Sequence, residues 1–78
     1  KNKVIDIVTR IDPVITLHDF RVVSGETHTN IIFDVVVPYG FRLSDEELKK
    51  EIDVRVKKKL GAQYYTVIQV DKDYNGRA

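Results

Sequence analysis

Residues Leu17 to Val37, Leu-His-Asp-Phe-Arg-Val-Val-Ser-Gly-Glu-Thr-His-Thr-Asn-Ile-Ile-Phe-Asp-Val-Val-Val, constrain the fold more than any other stretch. Two runs rich in β-branched and aromatic residues flank Ser24-Gly25-Glu26, and a glycine-containing turn between two such runs is the sequence signal of a β-hairpin. From Thr27 to Val37 the second run splits at period two. Ile31, Phe33, Val35 and Val37 share one side, while His28, Asn30, Ile32, Asp34 and Val36 share the other. The first set is a core face. The second is half polar, and an Asp34 set between Ile32 and Val36 needs a reason beyond packing.

The remaining segments read as supports for this hairpin. Val4, Ile5, Val8 and Ile11 recur at helical spacing, and Asp12-Pro13 stops the helix because the residue before proline disfavours the α region. The first helix is therefore expected at about Asn2 to Ile11, followed by a strand from about Ile15 to Val23. That strand has two parities, Ile15, Leu17 and Val23 against His18, Phe20 and Val22, which a twist or bulge near His18-Asp19 would reconcile. After Pro38-Tyr39-Gly40, Ser44 and Glu47 have the spacing of a capping box, with Leu43 and Leu48 at the staple positions. Leu48, Ile52, Val56 and Leu60 form one stripe, with Asp53 on the opposite face, and Lys57-Lys58-Lys59 and Gly61 suit the C-terminal end. This predicts a second helix from Asp45 to about Leu60 and a third strand from Tyr64 to Asp71. Thr66, Ile68 and Val70 lie on one face of that strand, Tyr65, Val67, Gln69 and Asp71 on the other, and residues 73–78 read as a flexible tail.

The order is αββαβ. A right-handed crossover through the second helix makes the last two strands parallel and gives a three-stranded mixed sheet with both helices on one face. The other face then carries Ile32, Asp34, Val36, Val67, Gln69 and Asp71 without cover, a surface more like a protein contact than a solvated face.

Composition removes several function classes. Seventy-eight residues make one domain with a limited core, which a partner subunit or a bound ion would help to stabilise. The absence of cysteine excludes disulfides, thiolate metal sites and thiol catalysis. Thirteen basic and twelve acidic residues give a formal charge of +1, so no overall field draws the chain to nucleic acid or lipid. The longest apolar run, Val35 to Val37, is far shorter than the roughly 20 residues of a membrane span. The four glycines are scattered, so no phosphate loop or dinucleotide fingerprint is present, and Ser44 is better used as a cap than as a nucleophile. The chain does not read as an enzyme. His28, at the hairpin, is expected to be exposed, and Lys57 to Lys59 to be a solvated helix end. The start at Lys1, with no initiator Met, is read as a domain cut from a longer protein.

The residues left for chemistry are His18-Asp19, Asp34, Glu47, Gln69 and Asp71, an imidazole and oxygen set of the kind that holds divalent cations when separate elements bring it together. Each also has a plain structural use: His18 as a hydrogen-bonded strand residue, Glu47 as part of a cap, Asp71 as a strand end.

The first helix, Leu17-His18-Asp19-Phe20-Arg21-Val22, the apolar strand, the second helix and the closing Val67-Ile68-Gln69-Val70-Asp71 together resemble the C-terminal cytoplasmic domain of the cation diffusion facilitator (cation efflux) transporters. The resemblance spans about residues 2 to 72 and is most specific in the His-Asp-aromatic-Arg run. It implies an α+β, ferredoxin-like or metallochaperone-like two-layer sandwich. It also implies a homodimer on the cytoplasmic side of the cell membrane, joined to the transmembrane domain of the same chain, with no nucleic acid and no small-molecule substrate. A divalent ion, Zn or a harder ion such as Mn, is then expected at the dimer interface. Carried over by position, the metal ligands are His18 and Asp71, with Asp34 and Glu47 where zinc-binding members have His. Gln69 replaces the His of the family's second motif, and these oxygen ligands favour harder ions than an imidazole cluster would. Ile32, Asp34, Val36, Val67 and Gln69 are the expected dimer contacts. Other readings are a structural dimerisation module without metal, a small soluble metal carrier, and an RNA-binding αβ module, for which no basic face emerges.

Overall fold

The computed structural model describes residues 2–74. Its elements follow in the order α1 (Asn2–Ile11), β1 (Thr16–Ser24), β2 (Thr29–Pro38), α2 (Asp45–Leu60) and β3 (Tyr64–Asp73). The sheet runs β1-β2-β3, with β1 antiparallel and β3 parallel to the central β2. This is the α+β, ferredoxin-like arrangement expected from the sequence.

Local chemistry explains the boundaries. The Ser44 side chain accepts the Glu47 N–H at 3.1 Å and the Glu47 carboxylate accepts the Ser44 N–H at 2.8 Å, a complete capping box. Three acids in the first turn of α2 and three lysines in the last complement the helix dipole. Gly61, at φ 135°, ends the helix in a backbone region that side chains rarely adopt, with its N–H on the Lys57 carbonyl.

The core lies between the helices and one sheet face. Ile31, Phe33, Val35 and Val37 of β2 meet Leu48, Ile52 and Val56 of α2 and Val4, Ile7 and Val8 of α1, all buried. The α1 stripe differs from the sequence reading: Ile7 is 4% exposed, whereas Ile5 and Ile11 are only half-buried. The face of α1 is therefore rotated toward Val4, Ile7 and Val8, because it must meet α2 as well as the sheet.

In β1 the pairing shifts by one residue, from His18 opposite Asp34 to Arg21 opposite Ile32. The extra residue is taken up at Asp19, which adopts φ 56°, a left-handed conformation that Asp tolerates better than most residues. The bulge lets both parities serve the core. Leu17 packs on the core opposite Val35 before it and Phe20 stacks on Phe33 with centroids 6.1 Å apart after the shift, while Val22, opposite Ile31, stays exposed.

β3 continues two residues beyond the expected Asp71. Lys72 and Asp73 pair with Val37 and Pro38, Lys72 Nζ reaches Asp45 Oδ1 at 2.7 Å, and the Tyr39 N–H donates to the Asp73 carbonyl. Of the tail expected at residues 73–78, Asp73 thus closes the sheet and Tyr74 lies against Tyr39 with centroids 5.0 Å apart, whereas 75–78 lie outside the described residues.

Candidate functional site

The helices use only one side of the sheet. On the other, strand register sets three rows: Thr16–Val36–Asp71, His18–Asp34–Gln69 and Arg21–Ile32–Val67. Every side chain in these rows points away from the core, since cross-strand partners share a face. This surface is open among the described residues, with Val67 51% and Tyr65 48% exposed.

The bulge concentrates acid there. Asp19, Arg21, Ile32, Asp34 and Gln69 line one shallow concavity. Asp34 is held above the ordinary carboxylate pKa by its partial loss of water, then by the adjacent Asp19 carboxyl and the charges of Asp19 and Asp71, with His18 pulling the other way. Three carboxylates, Asp19, Asp34 and Asp71, share this face with the guanidinium of Arg21. The Gln69 amide donates to Asp71 at 3.1 Å, and His18 Nε2 lies 3.0 Å from the Thr16 hydroxyl.

His18, Asp34, Gln69 and Asp71 thus share the face that the sequence indicated. Glu47 does not join them. It stands in the first turn of α2, in the helix layer, with the sheet between it and Asp34, and its carboxylate is committed to the cap. That bonding, from the Ser44 backbone and then its side chain, lowers the Glu47 pKa. His18 and Asp71 occupy the two outer strands, in adjacent rows on either side of β2, which carries Asp34. Among the described residues no three His, Asp or Glu side chains of one chain converge to hold an ion.

Two residues gain importance over the sequence reading. Asp19, set beside His18 but not counted among the ligands, lies next to Asp34, and the signal for this was the broken parity of β1. His28 is half-buried rather than exposed: its ring lies tilted against Tyr65 with centroids 4.4 Å apart, because pairing of Thr29 with Tyr64 brings the hairpin end against β3.

This geometry meets an independent finding. The family model described as cation efflux protein, cytoplasmic domain, matches residues 1–73. The chain belongs to that family. As a cation efflux cytoplasmic domain it is a dimerisation domain in a family of transporter regulatory domains, not one known for catalysis. No curated protein and no solved structure matches the chain. No helix of the described residues is long and apolar enough to cross a membrane.

Proposed function

We propose that this domain pairs two copies of a divalent-cation efflux transporter beneath the membrane through the open face of its sheet. The observation that carries the reading is the pair Ile32 and Val67 beside the Asp34 cluster, apolar side chains and an acidic patch on one uncovered surface. Ile32, Val36 and Val67 supply apolar contact, and Asp34 and Gln69 lie among them.

A divalent ion is the natural counter-charge for the patch. The donors of one copy are incomplete, so the set fits an ion only when a second copy completes it. Asp34 would then serve with His18 or Asp71 of one copy and oxygen ligands of the other. Oxygen-rich donors with one imidazole per copy favour Mn or a similar hard ion relative to sites built from several His. An ion that binds one separation of the two copies better than another biases the pair toward it.

A second reading, a structural dimerisation module without metal, is favoured by the Gln69–Asp71 hydrogen bond and by the lack of convergent ligands in one chain. Sedimentation and amide-shift titration with Zn, Mn, Co and Cd separate the two. Under the metal reading, His18→Ala and Asp71→Ala abolish the ion-dependent shifts with the fold intact, and acidification weakens binding because imidazole binds metal only when neutral. Dimerisation with no shifts at millimolar ion establishes the structural module. A chain that stays monomeric at high micromolar concentration, with and without ion, refutes both.

A further inference from the structure

Between the two helices lies a groove that neither pairing nor the acidic face uses. α1 and α2 run antiparallel, as shown by Val4 near Leu60 at one end and by Arg42 bonded to the Ile11 carbonyl at the other. Midway, Ile7 forms the floor of a groove of about 420 Å³, and Arg10, Arg55, Lys58 and Lys59 form its walls. Arg10 Nε is fixed by Asp6 at 2.8 Å and Arg55 Nε by Glu51 at 2.6 Å, each acid one turn back on the same helix. Both guanidinium groups are thereby oriented, and their terminal Nη donors remain for an outside acceptor.

Complementing the helix dipole explains part of this charge but not all of it. Lys57 is already engaged, 2.7 Å from Asp53 and 4.5 Å above the Tyr65 ring. Lys58 and Lys59 are exposed, and Arg10 belongs to the other helix. Four cations from two elements meet only two carboxylates, on a chain whose net charge is +1. Oriented guanidinium forks with lysines beside them match phosphate oxygens, and the aliphatic stems of these side chains, above the nearly buried Ile7, match a hydrocarbon.

We propose that this groove binds a phosphate monoester or diester that carries an apolar group, the phosphate set between Arg10, Arg55 and Lys58 and the apolar part along the aliphatic stems that cover Ile7. The ligand class is shared by membrane phospholipids and soluble alkyl phosphates. Because the groove lies in the helix layer, it stays accessible when the sheet face is occupied by a second copy.

The test is a chemical-shift titration of the 78-residue chain with three probes: monomeric dihexanoyl phosphatidic acid, hexyl phosphate and inorganic phosphate. The expected result is saturable shifts around Ile7, Arg10 and Arg55 with the first two, at least tenfold tighter than with inorganic phosphate. Arg55→Gln with Lys58→Gln should weaken binding at least tenfold. Lys49→Gln with Lys50→Gln removes the same charge from the other end of α2 and should leave binding within twofold. Co-sedimentation with phosphatidylglycerol vesicles, lost in the Arg55/Lys58 variant, assigns the ligand to lipid, and soluble binding without co-sedimentation assigns it to a free ester. Equal losses from the two double variants, equal affinity for inorganic phosphate, or no shifts at millimolar probe overturn the proposal.

Discussion

The Asp53 carboxylate accepts the Thr66 hydroxyl at 2.8 Å and so ties the middle of α2 to β3. The same oxygen takes Lys57 Nζ at 2.7 Å and the Thr66 N–H at 3.4 Å. On helical spacing alone Asp53 belongs to the solvent face, where its removal should cost little; instead it braces two elements. Asp53→Ala should destabilise by about 1–2 kcal/mol, the cost of losing such bonds at a half-exposed site. Ile52→Ala, a fully buried neighbour, should cost about 2–5 kcal/mol. Partial burial raises the Asp53 pKa, but the hydrogen bonds from Lys57 and Thr66 and the Lys57 charge together outweigh it and lower the pKa. The brace is therefore complete above the ordinary carboxylate range and is lost as pH falls through the folded value. Urea unfolding of both variants at neutral and acid pH checks the order and the sign.

Asp34 has the opposite sign. Its raised pKa means that the folded chain holds the proton more tightly than the unfolded one, so stability is lost as pH rises from the ordinary carboxylate value through the folded value. Asp34→Asn should raise the thermal midpoint of the metal-free chain at pH 7, and the gain should vanish at pH 3. A fall in the midpoint at pH 7 would show that the charge on Asp34 is stabilised by a partner on the face.

Val67→Lys places a charge in the centre of the proposed pairing surface and should weaken self-association at least tenfold by sedimentation equilibrium. Val54→Lys, at an equally exposed valine on α2, should leave it unchanged.

Asp19→Gly should be nearly neutral for stability, since glycine adopts the left-handed conformation freely. Asp19→Val should cost about 1–2 kcal/mol. Chemical denaturation of the two variants measures the difference. Similar costs would mean that the carboxyl group, and not the backbone, is what the bulge requires.

The elements were legible because short-range chemistry sets them: the Ser44–Glu47 box, the Asp12-Pro13 stop and the period-two pattern from Ile31 to Val37 all act within a few residues. The conflict of parity in β1 was legible too, and pointed to a twist or a bulge near His18-Asp19, of which the register shift is the bulge. What escaped depended on contacts between distant elements. Ile7 was passed over because its partner is a second helix, and the bond from Thr66 to Asp53 spans 13 positions. The end of β3 was set by Pro38 at the end of β2 and by Tyr39 in the turn after it. For the candidate site, pattern gave the face of Asp34, Gln69 and Asp71. It could not show that Glu47 lies on the far side of the sheet, because a carboxylate in a helix has no face until the helix is docked.

The parallel pairing of β2 with β3 has a kinetic consequence. Each pair, from Thr29 with Tyr64 to Pro38 with Asp73, joins residues 35 positions apart, whereas the hairpin of β1 and β2 closes over Gly25 to His28. Loop-closure entropy makes the hairpin quick to form and leaves β3 to dock late, after α2 has shortened the path between its ends. A strand that joins after the rate-limiting step governs the escape rate of the native state more than its rate of formation. Val67, Gln69 and Asp71 all lie on that strand, so a second copy seated on them would act as a clasp on the last piece to arrive. The lifetime of the folded domain would then lengthen with its own concentration.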